Sequence, residues 1–143
     1  MGRPLCATPT ALDRFRLVWP SRPRRGAAST SQGHPYTIFR RALERGNLIG
    51  AEATAKELPR LGLADALELT LLIARKEPRR HPRVAARWLL RYLEEDDEAT
   101  IDELVLASSC LAALTGNGYS EAAQALRDMT EKATRRRRGR GVA

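Results

Sequence analysis

Aromatic residues make up only 5% of this 143-residue chain, and lysine, histidine and cysteine are each scarcer still. Few aromatics and an apolar set dominated by Ala and Leu favour helices over sheets. His34 and His81 are the only histidines, and no His-x-x-x-His or Cys-x-x-Cys spacing occurs. Zinc or iron ligation therefore has no ligand set, and no cofactor is expected. Cys6 and Cys110 give no disulfide framework and fit a reducing cytoplasm. No apolar run approaches the ~20 residues that span a bilayer. The first twenty residues hold Arg3, Asp13, Arg14 and Arg16 and have no signal-peptide core. The expectation is a soluble, non-exported, cytoplasmic protein without a membrane partner. Glycine loops for phosphate are missing too, since Gly46-x-x-x-Gly50 and Gly116-x-Gly118 lack the following Lys-Ser/Thr or a preceding strand.

Positive charge is abundant, with a net +8, but it is unevenly placed. Residues 1–35 hold six Arg and one Asp, and residues 135–143 hold five Arg. The body between them, 36–134, holds fourteen basic and sixteen acidic groups. A nucleic-acid module usually carries a basic face on its folded body, and here the excess sits at the ends. Of the 25 basic residues 22 are Arg, a bias that a GC-rich genome writes into any protein.

The organisation follows from proline, glycine and apolar spacing. Residues 1–34 are rich in Pro, Arg, Ser and Gly and read as a disordered basic leader. The other reading is upstream DNA translated from a start codon set too early. A short amphipathic piece, Leu12-Phe15-Val18-Trp19, could dock on the body. Residues 35–134 read as an all-α domain of six helices, followed by a disordered Arg-rich tail, 135–143. Helix one runs from Pro35 to Arg45, with proline in its first turn. Gly46 stops it and Asn47 caps helix two, Leu48 to Leu58, before Pro59. Helix three, Leu63 to Lys76, has apolar residues on most sides and is expected to be covered on most sides. Helix four runs from Pro82 to Glu95, with Val84, Trp88 and Tyr92 on its apolar side. Thr100-Ile101-Asp102-Glu103 matches a capping box for helix five, Ile101 to Thr115. That helix is charge-free from Leu104 onward and is likewise expected to be covered on several sides. Gly116-Asn117-Gly118 ends it, and Ser120 caps helix six, with the stripe Ala122, Leu126, Met129 and Ala133.

Short connections make these six helices three antiparallel hairpins. Gly46-Asn47-Leu48-x-x-Ala51 recurs as Gly116-Asn117-Gly118-Tyr119-x-x-Ala122, with Pro82-x-x-Ala85 between them. Ala51 to Ala85 is 34 residues and Ala85 to Ala122 is 37. On this turn and period, residues 36–134 resemble the tetratricopeptide class of helical repeats. The resemblance implies a short right-handed stack of helical hairpins with a peptide-binding groove. The aromatic/Gly/Tyr signature of the first helix is missing. A compact six-helix bundle is the alternative.

Sites are few. His81, between Pro78 and Pro82, reads as a solvated loop histidine. Glu94-Glu95-Asp96-Asp97-Glu98 reads as a solvated acidic turn that also offsets the positive end of helix five. A helix-turn-helix around Ala53 to Leu58 fails. Its turn holds Pro59, and its would-be recognition helix presents Asp65 and Glu68, with no base-reading side chain before Arg75. Arg79, Arg83, Arg87 and Arg91 form an i, i+4 row that suits a carboxylate or phosphate partner, or a solvated face with Arg91 tied to Glu95. Arg135, Arg136, Arg137, Arg138 and Arg140 suit sequence-independent phosphate binding. The expected function is a non-enzymatic helical adaptor for an unknown protein or peptide. The alternative is an accessory protein that grips nucleic acid through the Arg-rich ends and the helix-four row.

Overall fold

The structure, a computed structural model, describes residues 33–141. The leader through Gln32, with its Leu12-to-Trp19 piece and Cys6, lies outside the described residues, as do Val142 and Ala143. Six helices and no strand make up the described residues, so the fold is all-α.

Gly33–Glu44 forms α1, which begins within the expected leader and keeps Pro35 in its first turn. Gly46 ends it in the left-handed region at φ 66°, where a side chain would be strained. There the Asn47 N–H donates back to the Ala42 carbonyl at 2.8 Å. Asn47 then caps α2 (Leu48–Glu57), its Oδ1 accepting from the Gly50 N–H at 3.0 Å. A Cβ on Gly50 would meet the Asn47 amide at 2.8 Å, so a larger residue there would make the capping side chain shift. Leu58 is extended ahead of Pro59, as the proline ring demands.

Leu63–Lys76 forms α3, the most covered helix, with nine buried residues from Leu63 to Ala74. α4 (His81–Glu95) buries Trp88 and Tyr92 side by side, their rings 5.5 Å apart. The Trp88 indole N–H donates to the Leu63 carbonyl at 3.2 Å and so satisfies a buried polar group. α5 (Ile101–Ala113) opens with the capping box: Thr100 Oγ1 accepts from the Glu103 N–H, and Glu103 accepts from the Thr100 N–H. α6 (Tyr119–Arg140) departs from expectation at both ends. Gly118, not Ser120, is its N-cap, and no side chain caps it. Its far end takes in the arginines that were expected to be a disordered tail.

Packing is most extensive between α1 and α2, α3 and α4, and α5 and α6. The small residue early in each second helix, Ala51, Ala85 and Ala122, is buried and lets the pair approach closely. α1 and α2 reach the rest of the body mainly through α3. α6 packs on both α3 and α4, with Ala122, Ala123, Leu126, Met129, Thr130 and Ala133 buried. This placement overturns the expectation for α5. Only Ala107 and Leu111 are buried within it, while Ile101, Val105 and Leu106 are 78%, 60% and 49% exposed. The seat against α3 is taken by α6, which buries Ala122, Ala123 and Ala133.

Candidate functional site

The helix-four arginines do not form one solvent-facing row. Each step of four residues overshoots a helical turn by about 40°, so the row winds around the helix. Arg79, in the turn before α4, and Arg83 are exposed. Arg87 is half-buried, and its Nε is covered without a hydrogen bond among the described residues. Arg91 is turned inward, donating to the Leu61 carbonyl and to Glu95 Oε1, the latter at 2.8 Å. Only the first half of the row is therefore open to a partner. Arg80, which sequence spacing did not single out, bridges Glu52 at 2.6 Å and Glu77 at 2.7 Å, fixing α2 to the turn before α4.

Of the C-terminal arginines Arg136 is drawn into the fold, while Arg135, Arg137 and Arg140 form exposed pairs and Arg138 is exposed. Arg136 donates to Asp96 at 2.8 Å and to both oxygens of Glu103, at 2.8 and 3.1 Å. Arg137 pairs with Glu95 at 3.0 Å and Arg140 with Asp97 at 3.1 Å. Arg135 pairs along its own helix with Glu131. The acidic turn thus also docks α6: Asp96 is fully buried and Glu95 half-buried, while Glu94, Asp97 and Glu98 stay exposed as a solvated turn would have them. Arg136 faces the Asp96 carboxylate, and the Glu98 N–H also donates to it. Arg136, Lys132 and the Thr100 N–H together hold the Glu103 carboxyl down at about 2. Burial, and then the negative charges of Glu103 and Asp96, push the Tyr92 hydroxyl up to about 12. A sequence signal for this arrangement exists. The buried stripe Leu126, Met129, Ala133 continues at helical spacing into Arg136 and Arg140, so those arginines share its face.

His81 also departs from expectation. It is the first residue of α4 and is buried, with Nε2 2.7 Å from the Leu111 carbonyl oxygen. A carbonyl only accepts, so the proton sits on Nε2, and the ring serves as a strut between α4 and α5. The acids of α3 are anchors as well. Asp65 accepts from Tyr36 and Arg40 of α1, and Glu68 accepts two bonds from Arg127 of α6, at 2.6 and 3.0 Å.

Two surfaces remain open. One is a shallow groove of about 300 Å³ between α3 and α6, with Leu67 and Thr130 in its wall and Glu131, Arg135 and Arg138 at its rim. The other is the outer face of α5, where Ile101, Val105, Leu106, Ser108, Ser109 and Ala112 are exposed. It carries no Asp, Glu, Lys or Arg from Leu104 to Thr115. No helix among the described residues is long and apolar enough to cross a membrane. Compared with protein-family models, curated proteins and solved structures, the chain matches none.

Proposed function

We propose that this chain is a non-enzymatic helical module that binds a protein or peptide partner through the outer face of α5. The observation that carries this reading is the run of exposed Ile101, Val105 and Leu106 on one side of α5, where Asp102 in the first turn is the one exposed charge. Single exposed apolar residues are ordinary. A contiguous apolar face on an otherwise charged surface marks a contact site. The Gly-Asn turns and buried alanines that resemble tetratricopeptide units support a binding role by analogy. A sequence with only two cysteines, and so no disulfide framework, fits work in the cytoplasm.

The nucleic-acid alternative loses part of its cations, above all Arg91 and Arg136. Arg136, Arg137 and Arg140 already face carboxylates, so phosphate contact there must first break internal pairs. The test places a photo-crosslinking residue at Val105 in the full chain expressed in cells, and a second at Glu94 as control. A discrete adduct at Val105 alone is expected. Equal labelling at both sites, or none, would remove the reading. Tight, steeply salt-dependent binding to DNA or RNA would favour the alternative.

A further inference from the structure

We propose that the uncharged face of α5 pairs, antiparallel and about a two-fold axis, with the same face of a second copy of this chain. This rests on the reading of α5 as the partner-binding surface and names the partner. Ile101, Val105, Ser108 and Ala112 are all exposed and follow at steps of four, three and four, the spacing of a seam that meets another helix. Their sizes are graded: large at the start of the helix, small towards its end. Two copies running antiparallel set Ile101 opposite Ala112 and Val105 opposite Ser108, large against small along the whole contact. A parallel pair would set large against large at one end and leave a gap at the other.

Charge points the same way. A two-fold contact brings each surface patch against its own copy, so any charge at the axis meets its like. The α5 face has none from Leu104 to Thr115, and the exposed Asp102 lies at the helix end, away from the axis, whereas Arg79, Arg83 and Arg138 are exposed elsewhere and would repel an identical molecule. Glu103, near the start of α5, is already matched by Arg136 and Lys132. Antiparallel helices also set opposite dipole ends side by side.

Size sets the strength. Thirteen residues make a helix about 20 Å long, which falls short of the ~800 Å² per partner of a standard interface. Leu90 and Leu93, exposed on the neighbouring α4, extend the apolar surface only modestly. The dimer is accordingly weak and concentration-dependent, with a Kd on the order of micromolar or above.

Sedimentation equilibrium of the full chain from about 1 µM to about 500 µM brackets that range. The weight-average mass is expected to climb from monomer towards dimer. Val105→Glu should weaken association at least tenfold while leaving helicity and melting temperature unchanged, because the site is exposed. Register is read in a Cys6→Ser, Cys110→Ser background. Chains carrying Ile101→Cys should cross-link to chains carrying Ala112→Cys in preference to their own kind, because a disulfide needs Cα atoms within about 7 Å. A monomer at every concentration, a dimer untouched by Val105→Glu, or preferred Ile101→Cys self-linking would each overturn the proposal. If the chain is monomeric but the photo-crosslinker at Val105 captures a different protein, self-pairing fails and the partner-binding surface stands. If neither occurs, both fail.

Discussion

From Leu69 to Ala74 in α3, and from Leu104 to Thr115 spanning α5, the chain carries two runs without a formal charge. In α3 every residue of the run is buried; in and just after α5 only Ala107, Leu111 and Leu114 are. Composition does not separate them. The difference lies in what approaches each helix. α3 is touched by α1, α2, α4 and α6, whereas α5 leans chiefly on α6 and on α4. An apolar run in a helix thus states how much burial is available, and the helices packed against it decide how much is used.

The widest contrast should come from truncating one leucine on each helix. Leu67→Ala removes a side chain that is 1% exposed and should cost about 2–5 kcal/mol in urea unfolding. Leu106→Ala, at 49% exposure, should shift stability by far less, about 0.5 kcal/mol. Equal losses would mean that α5 is covered in solution.

The acidic turn offers a second contrast. Asp96→Ala deletes a buried acceptor facing Arg136 and should cost about 1–3 kcal/mol. Asp97→Ala, at an exposed pair with Arg140, should cost about 0–1 kcal/mol. Acid titration sharpens the same region. Glu103 is held at about 2 in the fold against an ordinary 4.5, so the unfolded chain takes up its proton first. Its contribution is therefore fully present above pH 4.5 and is lost as pH falls towards 2. Glu103→Gln should flatten stability measured over that window.

Smaller still, Thr100→Ala should cost about 1 kcal/mol, because the capping box loses its hydroxyl. Smallest of all, Val105→Ser should stay within about 0.5 kcal/mol by thermal melting of dilute protein.

Local signals in the sequence were reliable where the chemistry is local. Gly46 and Asn47 mark the α1–α2 turn, Pro59 the end of α2, and Thr100 with Glu103 the start of α5, and each makes the backbone contact its residue type predicts. The burial of α3 was legible because its apolar residues occupy most of its circumference. Choices made between distant segments were not. Nothing within residues 101–115 says that α6 will claim the seat on α3. The acidic turn and the terminal arginines each look like solvated charge until residues 40 apart in sequence are brought together. His81 misled for a related reason: a histidine between prolines suggests a loop, but Pro82 supports a helix start and turns the ring inward.

The use of α6 as a lid on α3 also sets a timetable. Glu68 and its partner Arg127 are 59 residues apart in the chain. At about 5–20 residues per second of synthesis, α3 waits roughly 3–12 s with one flank uncovered. Until α6 is made, the flank of α3 that it covers has no partner within the chain.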